Sequence, residues 1–198
     1  MNTIFQFAIL CLSGLLFSSK QLVASTLPTT QIEAFIPQGY ALLDSVSGDL
    51  NGDWRKDWVI VLKKSNEDSL AAIGIETTRP VIVLYSDVNS QLYQVHRADN
   101  LVYCLGCGGI WGDPYSGIEL VPHGFKIYHY GGSNWRWTRN LTFFRSGNEF
   151  YLEEDASTSF KLIGEKNDEL IYDTDFTSTV RTAQDFGKVR MEDFRIEQ

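Results

Sequence analysis

The sequence predicts an all-β fold: a single-domain antiparallel meander, sandwich or open barrel. Three observations predict it. Hydrophobicity alternates with a period of two rather than 3.6. Short runs rich in Val, Ile, Tyr, Phe and Trp are separated by Gly, Asn, Asp and Ser turns at regular spacing. The 198 residues are 43% hydrophobic and 13% aromatic, enough for one buried core.

The elements follow in order. Strands are expected at Asp57–Lys64, Arg79–Tyr85, Gln91–Arg97, Leu101–Cys104, Phe125–Tyr130, Trp135–Arg145, Glu149–Glu153 and Phe160–Gly164. Ser146-Gly147-Asn148 reads as a hairpin turn, and Asp87-Val88-Asn89-Ser90 as another. Two short stretches carry helical signals, Thr30–Phe35 and Asn66–Ile73, the second with Glu67 and Asp68 in its first turn. Val180–Gln198 is polar and charged and reads as a last strand with a frayed tail.

Residues 1–25 read as a signal peptide and residues 26–198 as a single β-domain. Residues 4–17 form an apolar stretch too short for an ordinary transmembrane helix. Val23 and Ser25 stand at −3 and −1 for cleavage before Thr26, although the n-region lacks Lys and Arg. Cys11 is preceded by Leu10 rather than a small residue, which argues against a lipid-modified N-terminus. The expected location is therefore the periplasm or the extracellular space, with no stable membrane span after cleavage. The formal charge of −8 excludes nucleic acid as an expected partner, because phosphate binding needs a basic face.

The sharpest motif is the loop Gly48–Asp57. Asp49, Asn51, Asp53 and Asp57 place side-chain oxygens at positions 1, 3, 5 and 9, and the carbonyl of Arg55 falls at position 7. A hard cation such as Ca²⁺ takes six to eight oxygens, which such a loop can supply. Three carboxylates this close repel one another unless a cation neutralises them. An ion-free Asx-rich turn is the competing reading. The loop and the strand after it resemble the calcium loop of FG-GAP and VCBS-type repeats, as in integrin α-chain propellers. That resemblance implies a structural Ca²⁺ and propeller-blade-like sheets. Two departures stand out: Trp54 replaces the usual Gly, and the loop occurs once. Ile60 at the twelfth position separates the loop from an EF-hand.

Cys104 and Cys107 are expected to form a disulfide in an oxidising compartment. Three other readings remain open: a redox pair, zinc with His123 and His129, and a Cys-His nucleophile pair. The first lacks a following helix, the second strings its histidines along a strand, and a disulfide would abolish the third. Trp111, Tyr130, Trp135, Arg136 and Trp137 form a candidate partner-binding set, with core packing of the two Trp-Arg-Trp indoles as the alternative. This region and the aspartate loop together resemble a family of exported bacterial proteins of uncharacterised activity, a likeness that implies no reaction.

No nucleophile elbow, zincin motif or phosphate loop is present in the sequence. The expected function is binding of a protein or glycan partner without catalysis. The alternatives are an envelope-polymer hydrolase with a carboxylate pair, an inhibitor or immunity protein, and a purely structural envelope protein.

Overall fold

The computed structural model describes residues 31–166, 169–173 and 176–196. The expected signal peptide and Cys11 lie outside these residues. Two antiparallel sheets form the fold, and neither closes into a barrel. The first has the order β1(Tyr40–Gly48), β2(Asp57–Lys64), β3(Arg79–Ser86), β4(Leu92–Val102). The second contains β5(Tyr115–Val121), β6(Gly124–Gly132), β7(Trp135–Ser146), β8(Glu149–Lys166) and β10(Thr177–Thr182) in the order β10-β8-β7-β6-β5. A further strand, β9(Glu169–Tyr172), pairs with β8. Helix α1(Glu67–Ala72) joins β2 to β3, and α2(Ala183–Phe186) follows β10. Among the described residues, no helix is long and apolar enough to cross a membrane.

The core lies between the sheets. Val59, Val61, Val81 and Val83 of the first meet Phe125, Ile127, Leu141, Phe143 and Phe150 of the second. β2 and β3 carry continuous apolar runs rather than alternation, because both of their faces are buried. Their second face, Ile60, Leu62, Ile82 and Leu84, is covered by Ile32 of a 3₁₀ turn (Gln31–Phe35) with Phe35, Ile36 and Leu92.

Several element boundaries differ from the sequence expectation. The expected strands Gln91–Arg97 and Leu101–Cys104 merge into one, β4, which begins at Leu92 and ends at Val102 and whose register shifts twice against β3. Glu149–Glu153 and Phe160–Gly164 likewise fuse into the 18-residue β8. Polar residues between the two halves hid that continuity. β1 and β5 had no strand signal, since Ser, Asp and Gly interrupt their alternation. Through Ile196 the C-terminal segment is packed rather than frayed. Met191 and Ile196 are fully buried, and Met191 N–H donates to the Phe150 carbonyl at 2.9 Å.

Candidate functional site

The aspartate loop links β1 to β2, and its acids converge. Asp49, Asp53 and Asp57 each offer an oxygen within 4.8 Å of the others. Asp49 organises the turn: it accepts the amides of Gly52 at 2.7 Å and Trp54 at 2.8 Å. The side chain of Asn51 donates to Asp53 at 3.1 Å. Asp57 is fully buried and accepts the amides of Leu50 and Ser86, tying the loop to the end of β3. Burial, chiefly, pushes its carboxyl above the ordinary range; these amides oppose the shift, and the charges of Asp53 and Asp49 add to it. The guanidinium of Arg55 pairs with Asp53 at 2.8 Å, so one cation already faces the cluster. Trp54 adopts φ +65°, the left-handed region that favours Gly, and the residue is 94% exposed. The turn thus keeps the left-handed residue at a steric cost of about 1–2 kcal/mol.

Cys104 and Cys107 form the disulfide, closing a turn between β4 and β5. The paired sulfurs cannot ligate zinc as thiolates. His129 is buried inside the sheet, and His123 sits in the β5–β6 turn six residues away. The zinc reading of these four residues is therefore excluded by geometry. No helix follows the disulfide, which removes the thioredoxin-like reading as well.

The segment 103–114 is anchored by Arg79. This guanidinium is fully buried and uses all five N–H groups: two on Glu67, two on Asp113 and one on the Tyr103 carbonyl. Sequence reasoning passed over it, because an Arg before Pro at a strand start carries no motif.

The aromatic set does not form one patch. Arg136 is 3% exposed, and the Trp111 ring covers it at 4.2 Å. Its Nε and Nη1 make no hydrogen bond, so the cation–π contact is the visible compensation for its burial. Tyr130 lies on the same face as Arg136. Trp137 points to the opposite face, against the ring of Tyr103 at 5.3 Å. Trp135 shares the Trp137 face, yet it is 56% exposed, so joint core packing of the two indoles does not occur.

Trp137 lines a groove of about 500 Å³. Strand length explains it. β8 spans 18 residues, close to 60 Å at about 3.3 Å per residue, whereas β2 and β3 have eight each and span about 26 Å. β7 and β8 are therefore longer than β2 and β3, and the face that packs the core continues beyond those two strands. Its residues change accordingly, from Phe143 and Leu141 to Arg139 and Trp137. Register sets three ranks across β7, β8 and β10: Trp137–Ser159–Thr177, Arg139–Ser157–Thr179 and Leu141–Asp155–Arg181. Asp155 receives two bonds from Arg139, at 2.9 and 3.0 Å, and one from Arg181 at 2.5 Å. Burial alone would raise the Asp155 carboxyl, but these two cations outweigh it and hold it below the ordinary range. Arg139 also donates to the Tyr103 hydroxyl at 2.9 Å, fixing the aromatic wall.

The groove residues beyond Trp137 were missed at the sequence level. The available signal was the pair of hydroxyl runs Ser157-Thr158-Ser159 and Thr177-Ser178-Thr179, each inside a β-pattern. They mark a strand face that is neither core nor charged surface. No protein-family model, curated protein or solved structure matches the chain.

Proposed function

We propose that this protein is an exported, non-catalytic binding domain whose groove receives a glycan, with the aspartate loop serving as a structural Ca²⁺ site of the FG-GAP type. The observation that carries the reading is the groove's composition. Trp137 and Tyr103 supply aromatic surface on which the C–H face of a sugar ring can lie. Ser157, Ser159, Thr177 and Thr179 supply hydroxyls that both donate and accept, matching a polyol. Arg139 and Arg181 are held rigid by Asp155, so the polar groups are preorganised.

A protein partner is less well served, since protein interfaces centre on an apolar, desolvated patch. A hydrolase reading needs two carboxylates facing each other across the cleft. Among the described residues lining the groove, Asp155 is the only carboxylate, and two arginines keep it ionised. The Cys104–Cys107 disulfide supports an oxidising compartment and hence export.

The test is a titration of the purified chain with cello-, chito- and malto-oligosaccharides, read by calorimetry and tryptophan fluorescence. Trp137→Ala is expected to lose binding at least tenfold, whereas Trp135→Ala, outside the groove, keeps it. A panel that is silent at millimolar concentration, or a Trp137→Ala variant that binds as well as the parent, refutes the glycan reading.

A further inference from the structure

The balance of donors and acceptors in the groove narrows what it can hold. Asp155 lines the groove but is only 3% exposed. Both of its oxygens are engaged: Oδ1 by Arg139 Nε, Oδ2 by Arg139 Nη2 and Arg181 Nη2. This carboxylate has little capacity left for a ligand's donors. The lining supplies no second carboxylate among the described residues.

Donors, by contrast, are in surplus. A guanidinium carries five N–H groups and accepts nothing. Arg139 spends three of them, on Asp155 and the Tyr103 hydroxyl, and Arg181 spends one. The Arg181 side chain is 54% exposed, so its remaining N–H groups are open to a ligand. The Tyr103 hydroxyl accepts from Arg139, which leaves its own proton to be donated. The Ser and Thr hydroxyls serve either way and do not restore the balance. A neutral sugar brings a proton with every hydroxyl oxygen. An anionic group brings oxygens that only accept, and the fork of an arginine matches it.

We propose that the groove's ligand is an acidic glycan, whose sugar rings carry carboxylate or sulfate groups; this rests on the glycan reading and specifies its chemistry.

Charge and spacing agree with it. The chain carries a formal net charge of −8, yet the described groove lining sets Arg139 and Arg181 against Asp155 alone. A local excess of positive charge on an acidic protein concentrates an anion there. Lys161 is exposed and lies on the same face of β8, two residues beyond Ser159. Arg181 stands opposite Asp155, and from Asp155 to Lys161 the strand covers about 20 Å at about 3.3 Å per residue. Trp137, opposite Ser159, falls between these cations and offers its ring. The cations therefore follow a line, which suits a chain of acidic sugars rather than a single free anion.

The full chain is titrated by calorimetry with three cello-oligosaccharides of one length: neutral, oxidised to the uronate at C6, and sulfated at C6. An acidic form is expected to bind at least about tenfold tighter than the neutral one, and the tighter of the two identifies the anion. Raising NaCl from about 10 mM to about 1 M shortens the screening length from about 30 Å to about 3 Å and is expected to remove most of that preference. Arg181→Gln changes an exposed side chain with little reason to misfold, and is expected to cut the preference below about threefold. Arg97→Gln removes the same unit of charge from the opposite side of the first sheet, beside Ile82, and is expected to keep the preference. The proposal falls if neutral and acidic forms bind alike while the glycan reading stands. It also falls if the preference is untouched by Arg181→Gln, or if Arg97→Gln lowers it as much, which identifies a bulk charge effect. Silence of all three sugars overturns the glycan reading itself and this proposal with it.

Discussion

Removal of the Arg79 side chain tests how the disulfide segment is held. Arg79 makes five hydrogen bonds to three partners, and Glu67, its main counter-charge, is 1% exposed. In Arg79→Met, Glu67 keeps only the Thr77 hydroxyl at 3.0 Å among its present partners. A buried charge stripped of its partner costs about 3–5 kcal/mol. For a domain of this size each kcal/mol moves the melting temperature by about 2–4 °C, so the expected loss is roughly 6–20 °C. Asp113 adds less, because its side chain is 32% exposed and water replaces the guanidinium. The double variant Arg79→Met/Glu67→Leu should recover most of the loss, since an apolar pair of similar volume often matches a buried ion pair. Urea denaturation at pH 7 gives the energies, and hydrogen exchange over residues 103–114 reports the local loosening. A single variant within about 1 kcal/mol of the parent, or a double variant as unstable as the single, refutes the view that this network anchors the segment.

Two further predictions concern other parts of the molecule. Ca²⁺ at about ten times its dissociation constant should stabilise the chain by about 1.4 kcal/mol. That constant is expected on the order of 10⁻⁴–10⁻³ M. Asp53→Ala should remove the gain and Trp54→Gly should preserve it; a flat melting temperature up to about 10 mM Ca²⁺ leaves the loop an ion-free turn. His129 should make stability depend on pH. Burial pushes its imidazole down to about 4, with the charges of Arg139 and Arg79 adding and the Arg139 carbonyl opposing. Its unfolded value is about 6.5, so between the two the unfolded chain binds more protons. The contribution is complete above about pH 6.5 and disappears as pH falls through about 4, roughly 3 kcal/mol in all. His129→Gln should flatten this limb of the curve in denaturation measured across that range, and an unchanged slope refutes the assignment.

The sequence made the β-class and the strands with strong signals legible, because Val-, Ile- and aromatic-rich runs between turn residues suit little else. β1 was not visible: its Asp44 and Ser45 look like loop residues, yet Asp44 accepts the Tyr115 hydroxyl at 2.9 Å, a contact 71 residues distant. The tail misled for a similar reason. Met191 and Ile196 are isolated among charges, and only the Phe150 backbone and the core between the sheets show why they are buried. The aspartate loop was legible because its residues are adjacent in sequence. The groove was not, since its ranks join residues from three strands.

The same contrast bears on where a binding surface arises in this fold. A sandwich of equal sheets would bury both inner faces completely and leave only loops to carry function. Here β8 is longer than every strand of the first sheet, and the inward-facing positions continue past the core. The period of two persists, but what each position must satisfy changes: Leu141 faces the core, while Arg139 and Trp137, two and four residues earlier on the same face, do not. Arg139 marks the boundary, with its guanidinium on Asp155 and Tyr103 and its carbonyl on His129 Nδ1 at 3.0 Å. Core and groove therefore share one polar seam. A substitution at Arg139 should loosen the aromatic wall and release His129 together, whereas one at Ser157 or Thr179 should alter only what the groove holds.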